Sequence, residues 1–428
     1  MPTEIRMTID ERRKYLMIVR PRYLASNRKG RAELLDEMQR VTALDRKTLI
    51  RLLNGSLKRK PRRRQRGRTY GHEVDDALRV IWESLDYICA ERLTPGLASV
   101  AELLADHGEI MLTSELLDKL RQISISTVRR ILKRITQDTP RLPRKRPRPT
   151  NSVTRDVPMK RIPRGEKQPG HFEADLVHHC GPSASGEYVH TLQFVDVATG
   201  WSERVAILGR SFRVMEDGCN RILARTPFPV LEVHPDNGSE FFNHHMKRFW
   251  QERAPDVQLS RSHPYRKNDN RLVEQKNSSL VRAYLGYDRL DSVAQTLALN
   301  LLYDKMWIYY NLFQPVMHLQ EKIYVSDQSG SSRVKRRFDK AQTPFERLCA
   351  TDAISPERRE QLEQLRKRTN PRRLRKEIYA LIDHIFSLPG AVPGVTEDVF
   401  QTLLNSQYSQ EGEGSPVTLS FDRIITVR

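Results

Sequence analysis

Two stretches of this 428-residue chain cannot be packed into any core, and they dictate how the rest must be divided. The first is Lys58-Arg59-Lys60-Pro61-Arg62-Arg63-Arg64-Gln65-Arg66-Gly67-Arg68. The second is Thr139-Pro140-Arg141-Leu142-Pro143-Arg144-Lys145-Arg146-Pro147-Arg148-Pro149. Like charges at this density repel one another, and proline removes backbone donors, so both are expected as extended linkers. They separate a helical module at 1–56, a second helical module at 71–138 and a longer remainder, with linkers at 57–70 and 139–164. A change of pattern then sets an α/β domain at 165–325 against a basic, mostly helical region at 326–428. The chain carries 73 Lys+Arg against 53 Asp+Glu, a formal net charge of +20. Such a balance attracts polyanions, and its clustering in runs makes nucleic acid the expected partner. Arg62, Arg63 and Arg64 are candidates for a DNA-binding arm that tracks phosphates or enters a minor groove, although a solvated hinge would have the same composition.

Other classes are set aside by what the sequence lacks. Its four cysteines, Cys89, Cys180, Cys219 and Cys349, show neither zinc-ligand spacing nor a disulfide framework. His178, His179 and Cys180 are adjacent, but neighbours on a strand point to opposite faces, which suits them poorly as joint ligands. No apolar run is long enough to span a bilayer and no secretory leader is visible, so no membrane partner is expected. The expected location is cytosolic or nucleoid-associated; a basic run can also read as a nuclear address.

Within 1–56, apolar Leu34, Leu35, Met38, Leu44, Leu49, Leu52 and Leu53 recur at helical spacing across Arg31 to Arg40 and Arg46 to Leu53. This suits a helix-turn-helix or any other pair of short antiparallel helices. The second module contains helical patterns at Val74 to Ala90 and Leu97 to His107. Its last helix follows Ser124-Ile125-Ser126-Thr127, with Ser124 or Ser126 as cap and Val128, Ile131, Leu132 and Ile135 as the buried stripe. Arg129, Arg130, Lys133 and Arg134 occupy its other surface. The first three are candidate DNA contacts on a recognition helix, against the simpler explanation of a solvated basic face.

From about 165 the period changes to that of strands. Gly170 to His178, Tyr188 to Val197 and Ser202 to Ile207 are separated by turn residues, with Gly181 to Gly186 as a hairpin connection. Helices near Phe212 to Ala224 and Phe241 to Arg253 alternate with short strands at Val230 to His234 and Val257 to Leu259. A long helix from Arg271 and another over 291–312 follow. Three successive strands and then alternation give a mixed sheet. Further on, helices are expected near Thr343 to Ala350 and from Pro356 through Leu388, with no clear pattern after about 389.

In so basic a chain the informative residues are acids set among apolar strand residues. Asp175 lies inside the first strand, where an unpaired carboxylate would be desolvated. Asp236 ends a strand in His234-Pro235-Asp236-Asn237-Gly238-Ser239-Glu240-Phe241. Glu274 falls in the first turns of a helix. Carboxylates supply hard oxygen ligands for Mg²⁺, and two ions about 3.5–4 Å apart can activate an attacking oxygen and stabilise a leaving one. Such a trio suits phosphodiester chemistry. Each acid alone could equally be a turn, a cap or a surface charge. Glu173 lies on the same strand face as Asp175, so alternation does not choose between them.

Residues 165–315 resemble the catalytic core of the DDE transposases and retroviral-type integrases. The motif Asp236-Asn237-Gly238-Ser239-Glu240-Phe241 is similar to that family's D-N-G-x-E-F. Ser262 to Asn277, with His263-Pro264-Tyr265 and with Asn270 four residues before Glu274, is similar to its S-x-P-Y…N-x-x-x-E segment. Phe194 to Trp201 and Tyr310-Asn311…Pro315 resemble two further stretches of the same core. The flanking regions resemble bacterial insertion-sequence transposases in general pattern only. Arg271 stands where many relatives have glycine, and Val281, followed by Arg282, stands where a basic residue is frequent.

The resemblance implies a ribonuclease-H-like α/β core with Asp175, rather than Glu173, joining Asp236 and Glu274 as catalytic, metal-binding residues. Asp196 would be a common acid of the fold that holds no metal. Mg²⁺ would be the cofactor and Mn²⁺ a substitute. The implied activity is strand cleavage at mobile-element ends followed by attack of the freed 3′ hydroxyl on target DNA. The partners would be double-stranded terminal inverted repeats, target DNA and at least one further copy of the chain. Arg266, Lys267, Lys276 and Asn277, flanking the helix of Glu274, are further candidate DNA contacts. A simple nuclease of the same fold and a catalytically silent DNA-binding regulator are the competing functions.

Overall fold

The computed structural model describes residues 7–57, 69–135, 166–235, 240–241, 244–260, 270–326 and 332–403. The basic runs, Arg62 to Arg64, Asp236, Arg266 and Lys267 lie outside the described residues. The chain forms two compact units, Met1–Thr69 and Tyr70–Arg428.

The first unit holds three helices, α1 (Ile9–Ala25), α2 (Arg28–Thr42) and α3 (Arg46–Asn54). Leu16, Val19, Leu35, Met38, Leu49 and Leu53 form its core. Thr8 and Glu11 make a reciprocal capping box at the start of α1, which continues through Pro21. The expected pair of helices is therefore the second half of a three-helix unit. The α2–α3 connection turns through Ala43 in the left-handed region, with φ of 54°.

In the second unit a five-stranded sheet is ordered β3-β2-β1-β4-β5. Its strands are β1 (His171–His178), β2 (Val189–Asp196), β3 (Ser202–Leu208), β4 (Glu232–Pro235) and β5 (Gln258–Leu259). The first three pair antiparallel, whereas β4 runs parallel to β1 and β5 parallel to β4. The sheet is thus mixed, as the sequence pattern predicts. Gly181, whose Cβ would meet Arg289 at 2.9 Å, begins the β1–β2 connection in a left-handed conformation. Arg289 secures this loop by donating to the carbonyls of Cys180, Ser183, Ser185 and Glu187.

Helix α9 (Phe212–Arg225) covers one face of the sheet, with Gly218 fitting against Leu192 and Ile207. Helix α10 (His244–Arg253) packs beside α9. The other face receives α11 (Arg271–Lys276), a π-helical segment Asn277–Arg282, α12 (Ala283–Leu285) and α13 (Val293–Ile308). At the sheet edge, Glu203 accepts from the indoles of Trp201 (2.8 Å) and Trp307 (2.6 Å) and from Arg225 (2.7 Å). A fully buried carboxylate is thereby satisfied and fastens β3 to α9 and α13. The outward backbone of β3 is also occupied. Asn311 pairs with both polar groups of Ser202, Asn300 pairs with both of Ala206, and Arg225 donates to the Arg204 carbonyl.

The helices α4 (His72–Ser84), α5 (Ala90–Leu93), α6 (Leu97–Asp106), α7 (Ser114–Gln122) and α8 (Ile125–Leu132) join the same compact unit. Tyr309 donates to the Ser84 carbonyl and Gln314 to that of Leu85. The expected single helix Val74 to Ala90 breaks after Ser84, because Asp86 and Tyr87 adopt φ of 54° and 57°. The Asp86 carboxylate holds that turn by accepting from Tyr284, Arg375 and Tyr379.

After the core come an antiparallel hairpin, β6 (Leu319–Ser326) with β7 (Ser332–Phe338), and α14 (Pro344–Cys349). The helix expected from Pro356 to Leu388 is two, α15 (Pro356–Arg368) and α16 (Pro371–Ser387). Asn370 caps α16 through bonds from the amides of Arg372 and Arg373, and Pro371 occupies its first position. Among the described residues, no helix is long and apolar enough to cross a membrane.

Candidate active site

The site is assembled where β1 passes beneath the start of α11. Glu173 and Asp175, two residues apart on β1, both meet that helical segment, as strand alternation requires. Their surroundings differ. Glu173 is 4% exposed and accepts from the amides of Leu272 (2.6 Å) and Val273 (2.9 Å). Those donors belong to the first turn of α11, which its own N-cap residue, Asn270, does not cap with its side chain. Glu173 therefore acts as a cap delivered from the sheet, placing a carboxylate at the positive end of the helix. Burial pushes its pKa up to about 7 against the lowering effect of both bonds, with the Glu274 charge adding to the rise.

Asp175 is half-buried. Its Oδ1 accepts from the amide of Leu176 at 2.8 Å and its Oδ2 from the Asn277 side chain at 2.5 Å. Asn277 is the first residue of the π-helical segment, an irregularity frequent at functional sites. Glu274 lies one helical turn before Asn277 and is exposed. On the other side of β1, β4 ends at Pro235, which is registered against Ala174. Pro235 thus immediately precedes Asp236 in sequence, as Ala174 precedes Asp175.

A polar row crosses the sheet from this point. Asp175 is paired with Gln193 on β2, and Gln193 with Arg204 on β3. Gln193 is fully buried with both amide atoms unbonded, and Nε and Nη2 of buried Arg204 are likewise unbonded. Burial lowers the Arg204 pKa to about 10, while Tyr303 and Tyr310 receive its guanidinium on their rings. Asp196 instead accepts from the Gly170 amide and from both the amide and hydroxyl of Thr199. It shapes the turn into β3; burial raises its pKa and these bonds oppose the rise.

The basic candidates are dispersed. On α8, capped by Ser124, exposed Arg129 pairs with Glu91, and Arg130 bonds to Thr127. Lys133 follows the helix, and Arg134 engages both oxygens of Asp75. Val128 and Ile131 are buried; Leu132 and Ile135 are partly so. Lys276 lines a cavity beside α4 and α5. Desolvation lowers its pKa to about 7, and the charges of Arg92 and Arg204 add to the fall. Sequence reasoning missed Glu173 as a cap and Gln193 as a neighbour of Asp175. Alternation marked the face of Glu173, but its helix partner lies about a hundred residues away, beyond any local signal.

Among the described residues no group of three or more His, Cys, Asp or Glu is placed to hold a metal ion. Asp175 and Glu274, the members of the expected triad that are described, carry only oxygen atoms, the kind of ligand Mg²⁺ or Mn²⁺ prefers.

No family model matches the sequence. The chain is 36% identical over 343 residues to the uncharacterized protein y4rM of Sinorhizobium fredii, across 80% of this chain and 96% of that protein. It belongs to the same family as y4rM. Among solved structures, the HTLV-2 integrase catalytic core domain in complex with magnesium (dimeric form) matches 35% of this chain and 90% of its own. That match has 17% identity and a TM-score of 0.26.

Proposed function

We propose that this protein is a DNA transposase with a ribonuclease-H-like core, cutting and joining DNA at mobile-element ends through Asp175, Asp236 and Glu274. The observation that carries the reading is the placement of Asp175. It is the less buried of the two β1 acids, it is held by Asn277 from the helical segment of Glu274, and its neighbour Ala174 is registered against Pro235. Glu173 is already engaged by the α11 amides, which supports Asp175 as the functional acid. The D-N-G-x-E-F resemblance supplies Asp236.

In this reading Glu173 sets the height of α11 over the sheet, and Asn277 fixes the rotation of the Asp175 carboxylate. Asp175, Asp236 and Glu274 would hold Mg²⁺, or Mn²⁺ in its place. When bound, the ions would supply Lewis-acid stabilisation of the attacking and leaving oxygens. The helical modules, with Arg129, Arg130 and Lys133, and the arm of Arg62 to Arg64 would bind the element's terminal repeats. Arg266 and Lys267 would lie against DNA near the site. Handling two ends implies at least a dimer, working on DNA in the bacterial nucleoid.

Asp236→Asn tests the assignment. Cleavage of end-bearing DNA and strand transfer from pre-cut ends should both disappear, with end binding retained. Full activity in this variant would remove the triad from the mechanism. Cleavage without joining by the parent protein would make it a nuclease instead.

A further inference from the structure

The Lys276 cavity is about 610 Å³ and lies between the α4–α5 corner, α11 and the start of β6. Exposed Cys89, Gln275 and Phe338 line it, so it opens to solvent. Its charge is unbalanced. Lys276 has no hydrogen-bond or ion-pair partner among the described residues. Arg92 uses Nε on the Pro315 carbonyl and Nη2 on Gln314, which leaves Nη1 available, and it has no carboxylate partner among those residues. The acid in the wall, Asp86, is already bonded by Tyr284, Arg375 and Tyr379. A lysine and an arginine side by side without a carboxylate can both donate to an anion, and a bound anion would favour the charged lysine.

Part of the remaining wall is aromatic, among apolar residues such as Ile88, Leu280 and Met317. Trp82 and Tyr87 meet edge to face at 5.0 Å, and Tyr310 lines the cavity with them. The volume falls within the range of small-ligand sites, about 300–1,000 Å³, and is far too small for duplex DNA. Cations beside aromatic rings are the combination that receives a phosphate together with a base.

We infer that this cavity binds a single nucleotide, with its phosphate on Lys276 and Arg92 and its base against the Trp82, Tyr87 and Tyr310 wall. The site uses none of the three proposed catalytic carboxylates, so it stands or falls separately from the transposase reading. The nucleotide has two possible sources, a free mononucleotide or one unpaired nucleotide at the end of a DNA strand.

The test is calorimetric titration of the full-length protein with 2′-deoxyadenosine 5′-monophosphate, 2′-deoxyadenosine and inorganic phosphate. The monophosphate should bind more tightly than either fragment, and Lys276→Met should weaken it about tenfold or more, as loss of a charge-assisted bond requires. Lys276→Arg should restore most of the affinity. Because Lys276→Met replaces a desolvated amine by an apolar side chain of similar length, its thermal midpoint should not fall, which separates lost binding from lost folding. Competition by a duplex carrying one unpaired 5′-phosphorylated nucleotide, but not by a blunt duplex, would identify DNA as the source. Binding without such competition would identify the free nucleotide. No binding of the monophosphate by the folded parent, affinity equal to that of phosphate, or affinity unchanged in Lys276→Met would overturn the proposal.

Discussion

Lowering the pH from 7.5 to 5 protonates an ordinary exposed histidine, but His179 and His190 can accept a proton only at the expense of the fold. They are 1% and 2% exposed. His179 Nε2 bonds to the Thr191 hydroxyl while Nδ1 is unbonded, and neither ring nitrogen of His190 has a partner. Burial drives both pKa values down to about 3. Arg282, His190 and His178 around His179, and His178 and Arg210 around His190, push in the same direction.

The unfolded chain takes up these protons near the ordinary histidine value of 6.5, whereas the folded chain does not until about 3. The stabilisation is therefore complete above 6.5 and is lost progressively as the pH falls towards 3. At pH 5 each histidine forfeits about 2 kcal/mol, from 1.36 kcal/mol per pKa unit over one and a half units. The pair forfeits about 4 kcal/mol, since both rings stay neutral in the folded chain at this pH. All four tryptophans, Trp82, Trp201, Trp250 and Trp307, belong to the unit Tyr70–Arg428, so urea unfolding followed by tryptophan fluorescence reports on that unit alone. Carboxylates also weaken the protein in acid, so the informative quantity is the difference between the parent and His190→Phe. The variant should lose about 2 kcal/mol less than the parent between pH 7.5 and 5. An equal loss in both would refute the reasoning.

Glu203→Gln should destabilise the same unit by about 1–3 kcal/mol, because Arg225 and two indoles lose the charge they share while Asp304 still pairs with Arg225; the same urea assay measures it. Replacing Arg62, Arg63 and Arg64 with glutamine should weaken end-DNA binding and flatten the slope of log affinity against log salt by roughly 2–3, near 0.9 for each lost phosphate contact. An unchanged slope would make the segment a spacer.

Much of the sheet was legible because its cues are local. Strand alternation and the Gly181–Gly186 connection place β1 to β3 within a residue or two. Where the sequence misled, two local signals competed. Pro21 hides α1, although Thr8 and Glu11 announce its start. Asn370-Pro371 marks a new helix inside an otherwise continuous apolar pattern. The β6–β7 hairpin is rich in Lys and Arg, so hydrophobic period alone does not disclose it. At the candidate site, the acids could be singled out as acids, but not by their environments. That Glu173 caps α11, that Asn277 grips Asp175, and that Lys276 lines a cavity all depend on contacts between distant parts of the chain.

The occupied rim of β3 also limits how copies of this protein can associate. A bare outer strand offers its backbone to any extended chain, and joining two such rims is the simplest way to build one continuous sheet from two molecules. Here Asn311, Arg225 and Asn300 hold backbone groups of three alternate rungs, Ser202, Arg204 and Ala206. A partner strand would have to displace a buried arginine and two asparagines before making its first bond. Any assembly that keeps this unit folded must therefore meet through other surfaces, and this side of the sheet is protected from fibre-like growth.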